Sequence, residues 1–252
     1  MNAAVQGRLI LKAEGLKRHF GGIIAADDIN LSLHEGEHVA IIGPNGAGKT
    51  TFLNICTGYL KPQAGKVTLN GQEITGRQPR DITRMGVARA FQIPQLFTEH
   101  TVLENMLLAA AIRERRWNPF RSLMNLPERR EMEDLLDLVG CGDVRGRMAS
   151  ELPEGKRKLV DIALALALRP SVLLMDEPTS GVASADKFGV METLMGALRE
   201  AKVSSVFVEH DMEMVSLYAT RVAVWAQGII QMTGTPEVVL NDPDVIRNVI
   251  GG

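Results

Sequence analysis

Residues 43–50 read Gly-Pro-Asn-Gly-Ala-Gly-Lys-Thr and match the pattern G-x-x-x-x-G-K-[ST]. Glycines at that spacing let the backbone curl until successive N–H groups face one anion. A helix starting at the end of the turn adds positive potential. In such a loop Gly43, Pro44, Asn45, Gly46, Ala47 and Gly48 form a cradle for a polyphosphate. Lys49 reaches its outer phosphates, the Thr50 hydroxyl serves Mg²⁺, and Thr51 follows in the same turn. The plainer reading, a glycine turn with a solvated lysine, gives no reason for the apolar strand at 38–42 or the helical stretch at 50–58.

Three further sites would complete that chemistry. Segment 172–177, Val-Leu-Leu-Met-Asp-Glu, is an apolar strand that delivers Asp176 to the carboxyl edge of a sheet, where open α/β folds bind ligands. Asp176 there suits Mg²⁺ held through water, and Glu177 suits orienting or deprotonating an attacking water. His210 follows the apolar strand 203–208, so its imidazole also sits at a strand end within reach of a γ-phosphate. Gln92 closes the strand 86–92 with an amide able to contact metal or water. Alone, each has a plainer reading: a strand-ending turn, a capping histidine, a surface glutamine.

The elements that must position these residues are legible as alternation. Short strands are expected at 8–12, 29–33 and 38–42, punctuated by Gly21-Gly22 and Glu35-Gly36, with others at 65–71 and 86–92. From 101 to 149 the pattern turns helical, opening on Thr101 and Glu104 in capping-box spacing and broken at Asn118-Pro119 and Pro127. Helix 156–168, strand 172–175, helix 186–201 and strand 203–208 follow, then a strand pair around Gly228 and short helices over 236–250. Strands alternating with helices predict an α/β fold with a mostly parallel sheet covered on both faces. The expected layout is one domain over 1–252, in which 8–92 and 170–252 form the core and 93–169 a helical insert.

Composition narrows the class. The 252 residues carry a formal net charge of −2, which argues against a nucleic-acid binder working by bulk electrostatics. Cys56 and Cys141 lie far apart with no metal-ligand spacing, so a reducing cytoplasm is the expected setting. No secretion signal opens the chain, and no apolar run is long enough to span a bilayer. Arg113, Arg115, Arg116 and Arg121, around Trp117 and Phe120, read either as a surface toward membrane subunits or headgroups or as a solvated helix face.

In order along the chain, these residues resemble the ABC ATPase family: Walker A at 43–50, Q-loop at Gln92, helical insert, signature at 152–156, Walker B at 172–177 and switch His210. Within the family, GLKRHFGGIIAADDINLSL, ARAFQIPQLF and GTPEVVLNDPDVIRNVIG are similar to the ATPases of branched-chain amino-acid uptake systems. The resemblance implies a P-loop NTPase core with an N-terminal antiparallel β subdomain, and ATP with Mg²⁺ as cofactors. It further implies membrane-spanning permease subunits, a second ATPase subunit and an external binding protein, at the cytoplasmic face of the membrane. Phe20 is then expected to stack on adenine, and Leu152, Pro153, Glu154 and Gly155 to face the partner subunit's nucleotide.

Two departures matter. The family's usual LSGGQ is here Leu152-Pro153-Glu154-Gly155-Lys156, which puts a carboxylate where a γ-phosphate would approach and leaves Lys156 as the nearest offset in sequence. After Ser180-Gly181-Val182 comes Ala183 in place of an acidic or amide residue. The expected consequence is an asymmetric pair in which this chain's own Walker A site works opposite a partner with an intact signature. Two other readings stay open: a soluble ABC ATPase outside transport, and a low-turnover nucleotide-binding regulator.

Overall fold

The computed structural model describes residues 7–115 and 122–250. In chain order it contains β1 (Leu9–Phe20), β2 (Ile23–His34), β3 (His38–Ile42), α1 (Lys49–Cys56), β4 (Ala64–Leu69), β5 (Gln72–Glu73), α2 (Pro79–Met85), β6 (Val87–Ala90), α3 (Val102–Arg113), α4 (Arg129–Leu138) and α5 (Glu154–Ala167). Then come β7 (Val172–Asp176), α6 (Ser184–Glu200), β8 (Ser204–Val208), α7 (Met212–Tyr218), β9 (Arg221–Ala226), β10 (Ile229–Gly234), α8 (Pro236–Leu240) and α9 (Pro243–Val245).

Two sheets organise these elements. An antiparallel sheet has the order β2-β1-β4-β5, and a second sheet the order β10-β9-β3-β8-β7-β6. In the second, β6, β7, β8, β3 and β9 run parallel and only β10 is antiparallel. Alternate residues of its strands serve opposite faces, so both faces must be covered. Ile41, Leu174, Val206 and Trp225 pack with Phe52 and Leu53 of α1 and with the antiparallel sheet. Ile42, Met175, Phe207 and Val224 pack into a second core shared with α3, α4, α5 and α6. Among the described residues, the helices between 93 and 169 thus extend the core on this face rather than forming a separate one.

The first strand runs well past the expected 8–12. Gly15, at φ 60°, and register shifts between Ala13 and Leu16 let β1 bulge and continue to Phe20, where it turns through Gly21-Gly22 into β2. Helix α2 was not legible from periodicity, because its seven residues bury one side chain, Ile82. Pro79 in its first turn and Gly86 at its C-cap, φ 108°, are the signals that mark it. Helix α3 opens as expected: Thr101 Oγ1 accepts from Glu104 N at 3.2 Å, and Glu104 Oε2 accepts from Thr101 N at 2.8 Å.

Of the basic stretch, Arg113 is not a free surface charge. It donates to both carboxylate oxygens of Glu131 at 2.8 Å and to the Ala167 carbonyl at 2.7 Å. Arg115 is exposed, while Arg116, Trp117, Phe120 and Arg121, with the Asn118-Pro119 break, lie outside the described residues.

Candidate nucleotide site

Strand β3 ends at Ile42 and feeds the loop 43–48, from which α1 departs at Lys49. The loop is possible only with glycine at its tight points. Gly48 has φ 110°, and a Cβ there would lie 1.8 Å from the Ala25 carbonyl oxygen. Lys49 is buried at 6% exposure, and its ammonium donates to the loop carbonyls of Gly43 at 2.6 Å and Pro44 at 2.9 Å. Burial lowers its pKa, partly countered by Glu177 and Asp176. The Lys49 ammonium thus rests on the loop's own backbone.

Beside the loop lies an open cleft of about 210 Å³, lined by Phe20, Ile23, Ala25, Asn45–Thr51, Glu177, Val208 and His210. Phe20 is 43% exposed, with the Arg18 guanidinium 4.7 Å from its ring centroid. Thr50 Oγ1 donates to Asp176 Oδ1 at 3.4 Å. Asp176 Oδ2 accepts from Arg89 Nη2 at 3.0 Å.

Glu177 follows Asp176 with φ 51°, a left-handed conformation unusual for glutamate. That turn aims its carboxylate between two other expected site residues. Gln92 Nε2 donates to Glu177 Oε2 at 3.0 Å, and His210 Nε2 lies 3.1 Å from Oε1. The structure therefore brings Glu177, Gln92 and His210 together at the ends of β6, β7 and β8, beside the loop of Lys49 and Thr50. The Gln92 amide engages that carboxylate rather than Asp176.

Sequence reasoning missed two residues here. Arg89, in the apolar strand β6, is buried against Asp176, also donates to Asn54 Oδ1, and lies over the Phe91 ring at 4.8 Å. Glu209, 3% exposed, accepts from Thr179 Oγ1 at 2.6 Å and from His210 N at 3.0 Å, and so ties the turn after β7 to the turn after β8. In each case the available signal was a charge placed in or directly after an otherwise apolar strand.

The 152–156 segment does not line this cleft. Leu152 is buried, Pro153 is the N-cap of α5, and Glu154 and Gly155 open the helix. Lys156 does not offset Glu154: it donates to the Gly140 carbonyl and pairs with Asp143 at 3.0 Å. Arg157, one turn on, is the cation near Glu154, at 3.7 Å. Glu154 also packs beside Gly181, where a Cβ would lie 3.3 Å from its Cγ.

Residues 26–180 match the family model described as ABC transporter. The high-affinity branched-chain amino acid transport ATP-binding protein LivG of Escherichia coli K12 is 36% identical over 250 residues, covering 96% of this chain and 98% of that protein. BraF of Pseudomonas aeruginosa, with the same description, is 37% identical over 253 residues, covering 97% and 98%. Among solved structures, the ADP conformation of MJ1267, an ATP-binding cassette of an ABC transporter, aligns with TM-score 0.83 at 31% identity, covering 97% of this chain and 100% of that one. A glycine-built phosphate loop, a carboxylate pair at the end of β7 and these near-full-length matches agree: the chain belongs to the ABC transporter family, as a nucleotide-binding ATPase subunit coupled to transport.

Proposed function

We propose that this chain hydrolyses ATP to drive an importer of branched-chain amino acids or similar small polar solutes. It would work at the cytoplasmic face of the membrane with permease subunits, a second ATPase subunit and an external binding protein. The similarity to LivG and BraF supports the solute class. Among the described residues no helix is long and apolar enough to cross a membrane, so the solute path must lie in other subunits.

The observation that carries hydrolysis is the placement of Glu177. Its carboxylate borders the phosphate-loop cleft, bonded to Gln92 on one oxygen and near His210 on the other. A water bound there would give its proton toward Glu177 while Gln92 and His210 fix the carboxylate and meet the γ-phosphate. Lys49 would leave the carbonyls of Gly43 and Pro44 for the phosphates, and Phe20 would stack on the base. Thr50 Oγ1 and Asp176 Oδ1, hard oxygens 3.4 Å apart at the end of the loop, fit Mg²⁺, with Gln92 nearby. When bound, the ion would neutralise phosphate charge.

Two copies, or this chain and a second ATPase, would pair so that residues 152–155 meet the partner's nucleotide. Glu154, whose one ion pair among the described residues is with Arg157, makes that half-site repulsive to phosphate. The working unit is therefore an asymmetric heterodimer. The test is ATP hydrolysis by the purified chain, alone and mixed with its partner ATPase, with Glu177→Gln in this chain. Turnover is expected mainly in the mixture and should fall by about two to four orders of magnitude in the variant. A homodimer as fast as the mixed pair would remove the asymmetry, and an unaffected Glu177→Gln mixture would remove the assignment of the base.

A further inference from the structure

Helix α5 carries two charged side chains in its interior-facing surface, Lys158 at 2% exposure and Asp161 at 7%, among Leu159, Val160, Ile162 and Ala163. Neither forms an ion pair among the described residues. Burial lowers the pKa of Lys158 and pushes that of Asp161 up to about 6, so both are costly to keep charged. An apolar helix face would fill the same space at lower cost. What the charges contribute must lie in the groups they bind.

Those groups are backbone atoms of the candidate site. Lys158 Nζ donates to the main-chain carbonyl of Gln92 and, at 3.4 Å, to that of Glu177. Asp161, one turn on and on the same face, divides its carboxylate: Oδ2 accepts from Phe91 N at 3.1 Å and Oδ1 from Gln95 N at 3.2 Å. The chain on both sides of Gln92 is thus gripped by one helix, and the same ammonium holds the residue at the end of β7. A slide of α5 along its axis shifts Gln92 and Glu177 together, and α5 begins at Glu154, directly after Pro153.

We propose that Lys158 and Asp161 are positioning residues for hydrolysis, holding the Gln92 amide against the Glu177 carboxylate and tying that contact to the helix that starts at the 152–155 segment. The inference rests on the reading above, in which Gln92 and Glu177 serve the attack on ATP. Lys158→Met keeps an unbranched apolar stem, one atom shorter, and loses every side-chain N–H donor. Asp161→Asn keeps the shape but turns one acceptor into a donor, so only one of the two N–H groups remains satisfied.

The experiment uses the chain mixed with its partner ATPase, in the presence of Mg²⁺. It reads kcat, KM for ATP, the Kd of a fluorescent ATP analogue and the thermal midpoint. The variants are Lys158→Met, Asp161→Asn, Gln92→Ala and the double Lys158→Met/Gln92→Ala, with Glu177→Gln as reference. Lys158→Met is expected to lower kcat at least tenfold and Asp161→Asn severalfold, with the analogue's Kd within twofold of the parent. The double variant should be no more than about twofold slower than its slower single, because Lys158 acts through Gln92. If Lys158→Met does not fold, Asp161→Asn carries the same comparison. The proposal is overturned if kcat stays within twofold of the parent, if the two losses multiply in the double variant, or if Kd weakens in step with kcat. A Glu177→Gln chain that turns over normally would instead sink the hydrolysis reading beneath it.

Discussion

Arg89→Met tests the buried electrostatics of the site most directly. The Arg89 and Asp176 side chains are 7% and 6% exposed and meet at 3.0 Å. Methionine keeps an apolar stem but loses the guanidinium that lies over Phe91, and among the described residues it leaves Asp176 with the long Thr50 contact at 3.4 Å. Breaking one side of a buried pair costs about 3–5 kcal/mol, because the surviving charge stays desolvated. Two features put the value at the low end of that range. Arg89 Nε is itself buried without a partner, and burial lowers the pKa of Arg89 more than Asp176 restores it. At about 3 kcal/mol, and about 2–4 °C per kcal/mol for a chain of this size, the thermal midpoint should fall by roughly 6–12 °C.

The assay is thermal unfolding by calorimetry at neutral pH, without nucleotide, for the parent, Arg89→Met, Asp176→Asn and the double variant. Removing the orphaned charge as well should recover most of the loss, so Arg89→Met/Asp176→Asn should melt above Arg89→Met. With Mg²⁺ and ATP present the gap between parent and Arg89→Met should narrow, because the cation proposed at Asp176 supplies the missing positive charge. An Arg89→Met midpoint within about 2 °C of the parent, or a double variant no better than the single, would refute the reasoning.

Two other outcomes follow from the same structure. Gly48→Ala places a Cβ 1.8 Å from the Ala25 carbonyl at φ 110°, so it should weaken binding of a fluorescent ATP analogue at least tenfold. Gly22→Ala, with nothing within 4 Å of the new Cβ, should leave binding unchanged. His38 is held down to about 4 by burial and then by Arg199, while an unfolded histidine titrates near 6.5. Between those values the unfolded chain binds the extra proton, so stability falls as pH drops, by about 2 kcal/mol from pH 7 to pH 5. Asp161, raised to about 6, acts in the opposite sense below pH 6. Urea unfolding of the parent and His38→Gln at both pH values isolates the histidine, and equal slopes would show that it contributes nothing.

How much of this was readable depended on how local the physics is. The phosphate loop announces itself because each of its demands is met within eight residues: glycines where the backbone turns, a strand before, a helix after. Asp176, Glu177 and His210 were readable because an apolar strand that ends on a charge reports the edge of a sheet. Lengths were harder. Bulges at Gly15 let β1 outrun its apolar pattern, and α2 buries a single residue, so it has no periodicity to detect. The contacts around the site were not readable at all, because they depend on strand order. Gln92 and Glu177 are 85 residues apart, yet they meet because β6 pairs with β7, and Lys158 reaches Gln92 across 66 residues because α5 packs behind them. The 152–156 segment shows the same limit at short range: sequence placed a carboxylate at the start of a helix, but the fold of 140–143 drew Lys156 away and left Arg157 beside it. What the sequence does carry for Arg89, Lys158, Asp161 and Glu209 is an anomaly, a charge where the pattern calls for an apolar residue. Desolvating such a charge costs enough that the fold must bring it partners, so each anomaly marks where distant segments are tied, and here all four ties converge on the ends of β6, β7 and β8.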